Sequence, residues 1–178
     1  RRARGSCGCD VRHARIRREG QRLDYVIVYD SRTGNTEALA RAVADALPEE
    51  GRLAFGRVEE VGASALSRAE RVYAGFWTHR GDCSDGMAEL LSSLGGKEVF
   101  LFGTAGFGAD ETYFAGVMAR AAAHVPESAK IVGTFMCQGR MPASVRERYE
   151  RQAEAHPAQA ARMAQLIENF DVALAHPD

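Results

Sequence analysis

The chain has 178 residues, 46% of them apolar, which suits one domain with a buried core. No apolar run approaches the roughly 18 residues of a membrane span, and the opening segment is arginine-rich without the apolar stretch of a signal peptide, so the expectation is a cytoplasmic protein with no membrane partner. The formal net charge is -1 but unevenly placed: residues 1–22 hold eight of the 23 Lys and Arg and two of the 24 Asp and Glu, leaving 15 basic and 22 acidic residues beyond them.

That basic head is polar, with neither a strand pattern nor a helical stripe, and reads as a disordered extension. A nucleic-acid arm would need interleaved aromatics or a folded basic face, so no nucleic-acid partner is assigned. The folded domain is expected over residues 23–176. Four cysteines (Cys7, Cys9, Cys83, Cys137) show neither a disulfide framework nor zinc spacing, and free thiols are expected.

The first strand signal is the apolar run from Leu23 to Tyr29. It empties into Asp30-Ser31-Arg32-Thr33-Gly34-Asn35-Thr36, a hydroxyl-and-glycine loop that opens a helix running to about Leu47. Ser31, Thr33 and Thr36 supply hydroxyls, Gly34 lets the backbone bend without a Cβ clash, and the amides of the helix start point at whatever the loop encloses. The loop lacks the lysine of a P-loop and the three glycines of a dinucleotide fingerprint, which leaves a phosphomonoester as the fitting anion. A plain helix N-terminus capped by Thr36 is the alternative.

Arg52 to Val58 is a weak second strand, and Arg71 to Trp77 a strong third one ending at the only tryptophan. Ser84-Asp85 and Gly95-Gly96 bracket a helix from about Ser84 to Leu94. Glu98 to Gly103 is the fourth strand, Glu111 to His124 an alanine-rich helix, and Lys130 to Met136 the fifth strand. Pro142 to Arg151 reads as a short polar helix and Ala158 to Leu174 as the last one. Strands alternating with helices predict an α/β fold, a doubly wound five-stranded parallel sheet with helices on both faces. His124 and His156 have no partner at metal spacing, and no metal is assigned. Cys137 reads as a small apolar residue rather than a redox centre.

Ser31-x-Thr33-Gly34-Asn35-Thr36 after a strand resembles the flavin mononucleotide (FMN) phosphate loop of the flavodoxin family, and the resemblance extends from about Leu23 to Leu174. It implies strand order 2-1-3-4-5, with FMN bound at the carboxyl ends of the first and third strands, where the winding reverses. Three loops then carry the cofactor: Ser31, Arg32, Thr33, Gly34, Asn35 and Thr36 on its phosphate, and Trp77, Thr78, His79, Arg80 and Gly81 beside its ring. The third holds Thr104, Ala105, Gly106, Phe107, Asp110 and Tyr113.

Trp77 is the candidate to stack on the ring, the alternative being a core aromatic. Gly81 is the candidate to turn its carbonyl toward flavin N5, although flavodoxins often place that glycine directly after the aromatic residue and here three residues intervene. Asp110-x-x-Tyr113 resembles the Asp-x-x-Tyr whose tyrosine stacks on the outer ring face; an inward-packing Tyr113 is the alternative. Flavodoxins surround the flavin with acidic residues, whereas His79 and Arg80 place positive charge there, either tuning the potential or docking an acidic partner.

The implied function is an electron carrier, a monomer or weak dimer, between a reductase and an acceptor oxidoreductase. The alternative is an FMN enzyme such as a quinone reductase or a protoporphyrinogen oxidase.

Overall fold

The computed structural model describes residues 23–106 and 111–174. The basic head, Phe107 and Asp110 lie outside the described residues. Apolar alternation within the first strand, β1 (Tyr25–Tyr29), dictates the layering, because its two sets of side chains enter two different cores. Val26 and Val28 join one cluster with Val72, Phe76, Met87, Leu91 and Val117, while Tyr25, Ile27 and Tyr29 join another with Ala40, Tyr73 and Phe102. Val26, Ile27 and Val28 are wholly buried, each contributing about 1.5–3 kcal/mol relative to exposure.

The strands β2 (Arg52–Arg57), β3 (Arg71–Trp77), β4 (Glu98–Ala105) and β5 (Lys130–Gln138) complete a five-stranded sheet in the order β2-β1-β3-β4-β5. All four pairings are parallel. Helix α1 (Asn35–Ala46) lays Leu39, Ala40 and Val43 on the Tyr25/Ile27/Tyr29 face. Helices α3 (Asp85–Ser92) and α4 (Glu111–Ala122) cover the opposite face, so the sheet is doubly wound.

Four strands begin where the sequence pattern places them, and β3 matches at both ends. β4 and β5 run two residues further than their hydrophobic pattern, into the polar Thr104-Ala105 and Cys137-Gln138. A six-residue helix α2 (Ala63–Arg68) leaves no stripe in the sequence, having no buried residue. The polar helix after β5 is longer than read, α5 spanning Ala143–Ala155. It packs against α6 (Ala160–Ala173), whose Met163, Phe170 and Ala173 are buried.

Tyr25 anchors β1 by donating its phenol to the Pro48 carbonyl. Burial is the largest influence on it and raises its pKa above the usual 10.0. A group whose folded pKa is raised gives stability that is complete below its unfolded pKa and lost as pH rises through the folded value. Tyr25→Phe is therefore expected to flatten the loss of stability above pH about 10, each ionisation accounting for at most about 1.4 kcal/mol per pH unit. Urea midpoints that fall equally steeply in parent and variant would contradict this.

Candidate functional site

The crevice opens at the carboxyl ends of β1, β3 and β4, where winding reverses between α1 on one face and α3 and α4 on the other. Asp30 leaves β1 with its amide bonded to the Gly75 carbonyl at 2.8 Å, and Arg57 Nη2 donates to the Ser31 carbonyl at 2.7 Å. These bonds fix the loop's entry. Gly34 then takes φ +88, a left-handed turn that starts α1. The amides of Gly34 and Glu37 both point at one oxygen, Ser31 Oγ, each at 3.2 Å. Two backbone N–H groups converging on a single oxygen at a helix start are the donor set that an anion requires.

Thr36 differs from its expected role. Its side chain is wholly buried, and its hydroxyl bonds Thr104 Oγ1 at 2.9 Å, tying α1 to β4. It neither caps the helix nor opens onto the crevice, whereas Thr104 does line it. Asn35 performs a task the loop motif does not announce. Its side-chain amide donates to Thr33 Oγ1 at 2.9 Å and to the Arg140 carbonyl at 2.7 Å, and accepts from the Arg140 amide at 3.1 Å. The exit of β5 is thereby fastened over the Ser31–Thr36 loop.

Trp77 is half-buried at the end of β3 and held by its edge. Its Nε1 donates to Asp30 Oδ2 at 3.0 Å, and the same oxygen accepts from Ser84 Oγ, the N-cap of α3. The Arg32 guanidinium lies 5.5 Å from the indole centroid and the His79 ring meets it edge-on at 5.1 Å. Trp77 belongs to neither core cluster, so it walls the crevice instead of closing the core. Arg32, Thr33, Trp77, Thr78, Thr104, Gly106 and Arg140 surround a cavity of about 390 Å³, closed by Met141, Pro142, Ser144, Val145 and Arg148.

Asp30 and the Arg140–Arg148 wall were missed by the motif reading. Asp30 hides at the strand–loop junction, and the wall comes from a segment more than 100 residues from the loop it covers.

Arg80 and Gly81 go elsewhere. His79 and Asp82 exchange backbone hydrogen bonds at 2.7 and 2.9 Å around a two-residue turn with φ 51 at Arg80 and φ 86 at Gly81, the positive-φ pair of a tight hairpin. The Gly81 carbonyl accepts from Arg120 Nε of α4, and a Cβ at Gly81 would stand 3.0 Å from Arg120 Nη2. The peptide expected at N5 is thus held by α4, because glycine here serves the hairpin. Tyr113 also packs inward, half-buried against the core formed with Val117 and Met118. Ala105 is buried beside Gly106.

The arrangement fits a phosphorylated planar ring: a loop whose amides converge on one oxygen borders a cavity that Trp77 also lines. At the end of β5 the buried Gln138 Oε1 has no hydrogen-bond partner, an acceptor still lacking a donor among the described residues.

Comparison with known proteins agrees with this geometry. A flavodoxin domain model matches residues 26–178. The flavodoxin-like domain-containing protein BilS of Clostridium symbiosum is 41% identical over 169 residues, covering 88% of each chain. Its namesake from Clostridioides difficile is 25% identical over 154 residues, covering 86% of each. Among solved structures, a flavodoxin of Streptococcus pneumoniae superposes with a TM-score of 0.51 at 24% identity, covering 83% of this chain and 97% of its own. A flavoprotein of Lactobacillus acidophilus in complex with FMN gives 0.50 at 11%, covering 64% and 93%. These two likenesses speak to the fold alone. The chain belongs to the flavodoxin family, whose cofactor is FMN.

Proposed function

We propose that this chain is an FMN-dependent electron carrier that receives electrons from a reductase and delivers them to a partner oxidoreductase. One observation carries the reading. Phosphate-loop residues and the single tryptophan wall one cavity, and among the described residues no Asp, Glu, His, Cys or Tyr lines it. The described walls bind and orient rather than move a proton at a substrate, which favours a carrier over a quinone reductase or a protoporphyrinogen oxidase.

FMN, when bound, supplies one- and two-electron transfer. The amides of Gly34 and Glu37, with the hydroxyls of Ser31 and Thr33, would hold its phosphate. Asn35 keeps the Arg140 segment closed over that end. Trp77, oriented by Asp30, would face the ring, with Thr78, Thr104 and Gly106 on the same wall. Arg32, Arg140 and Arg148 are exposed at the mouth and give it a positive rim suited to an acidic partner face. No described helix is long and apolar enough to cross a membrane.

Because Trp77 is the only tryptophan, its emission reports directly on this wall. FMN is expected to quench it in proportion to occupancy, and Trp77→Ala to weaken FMN about tenfold, the loss of one aromatic contact. At a hundredfold excess over its dissociation constant, FMN should add about 2.7 kcal/mol of stability. A melt unmoved by FMN would reject the cofactor. The FMN-loaded protein should also be inert to NAD(P)H and reducible through a reductase; turnover of quinones or protoporphyrinogen by the loaded protein alone would make it an enzyme.

A further inference from the structure

Away from the crevice, three metal-binding side chains meet where the loop between β3 and α3 touches the end of α4. Asp82 and Cys83 follow the Arg80-Gly81 turn, and His124 stands two residues beyond α4. One carboxylate oxygen, the Cys83 Sγ and one ring nitrogen all lie within 4.8 Å of one another. His124 Nε2 is 3.1 Å from Asp82 Oδ2, and Asp82 Oδ1 accepts from the Cys83 amide at 2.7 Å. Sequence spacing gave His124 no metal partner. The fold supplies two from more than 40 residues away, which spacing alone does not reveal.

We propose that Asp82, Cys83 and His124 form a binding site for one zinc ion, filling three positions of a tetrahedron and leaving the fourth to water. The donor set is the first argument. Thiolate, imidazole and carboxylate together suit zinc, whereas calcium and magnesium take oxygen donors. Geometry is the second. Bonds of about 2.0–2.3 Å place tetrahedral donors about 3.5 Å apart, so a trio lying within 4.8 Å needs to close by about 1.3 Å at most.

Access is the third argument. Cys83 forms the floor at 6% exposure, while the Asp82 and His124 side chains are 33% and 37% exposed, so an ion can enter from solvent and keep one water. The loop is also braced: the His79–Asp82 bridge fixes the Asp82 backbone, and Arg120 holds the neighbouring Gly81 carbonyl.

Burial first, then the Asp82 charge, pushes the Cys83 thiol up to about 12, so it stays protonated beside a carboxylate. Zinc binding replaces the thiol proton, which leaves to solvent. The carboxylate and the imidazole complete the donor set, and the ion offsets the two negative charges. The ion then ties the β3–α3 loop to the turn after α4. None of the three residues lines the FMN cavity, so the site does not depend on that reading.

The test uses the full chain carrying Cys7→Ser, Cys9→Ser and Cys137→Ser, so that Cys83 is the sole thiol. Cobalt(II) is expected to bind one equivalent with a near-ultraviolet thiolate charge-transfer band, to release one proton, and to be displaced by zinc. Asp82→Asn and His124→Ala, both at partly exposed positions, should each weaken zinc at least tenfold while leaving the far-ultraviolet circular dichroism unchanged. Cys83→Ser should abolish the charge-transfer band; should that variant not fold, the other two decide. No band at saturating cobalt, or zinc affinity unchanged in His124→Ala, would overturn the proposal and leave Asp82–His124 as an ion pair only.

Discussion

Gly75→Ala is expected to be the most damaging single-methyl change in the sheet, costing about 3 kcal/mol and lowering Tm by on the order of 10 °C. Gly75 is buried in the middle of β3, and a Cβ there would stand 2.3 Å from Phe102 Cε2 and 2.4 Å from Cζ. Phe102 is itself wholly buried among Tyr25, Ile27, Tyr73 and Ala40. Neither ring nor strand has room to retreat, because Gly75 pairs in register with Tyr29 on one side and Phe102 on the other.

The damage should also reach the crevice. The Gly75 carbonyl receives the Asp30 amide, and Asp30 orients Trp77. Thermal melts of Gly75→Ala and of Gly75→Ala/Phe102→Leu test the cause, since the smaller leucine should recover part of the loss. A double variant as unstable as the sum of the two singles would mean that the Phe102 contact is not the reason.

The sequence disclosed what local chemistry decides. β3 could be read to the residue because Arg71–Trp77 is a seven-residue run whose five central positions are buried, and the winding followed from its alternation with helices. The Ser31–Thr36 loop was legible for the same reason: hydroxyls and Gly34 sit side by side, and the amides that converge on Ser31 Oγ come from within seven residues. What the motif could not say is where each hydroxyl points. Thr36 turns inward because its place on the first turn of α1 faces β4.

Features assembled across the chain were hidden. The Asn35–Arg140 clamp joins positions 105 apart, and nothing in either neighbourhood requires the other. Gly81 was assigned to the ring because its sequence context, a glycine soon after an aromatic, resembles the family pattern. The intervening Thr78, His79 and Arg80 are enough for a hairpin that carries Gly81 to Arg120. Tyr113 sits at a helical position whose neighbours Val117 and Met118 point inward, and the core takes it along. In each case tertiary contacts that no local motif announces set where the side chain lies.

Thr36 and Thr104 are expected to behave as one unit in a double-substitution experiment. Thr36→Val or Thr104→Val alone leaves a buried hydroxyl without its 2.9 Å partner, which costs about 1–3 kcal/mol, whereas Thr36→Val/Thr104→Val removes both polar groups from the same space and should lie close to the parent. Binding should not follow stability. Two hydroxyls carry two protons and spend one on each other, so the pair keeps one O–H for a ligand, and Thr104 is the member that lines the cavity. FMN affinity is therefore expected to fall about tenfold in the double variant although its fold is restored. Riboflavin affinity falling in parallel would place the lost donor against the ring, and FMN affinity falling alone would place it against the phosphate. A double variant that is both stable and binds FMN like the parent would show the pair to be a structural tie between α1 and β4 and nothing more.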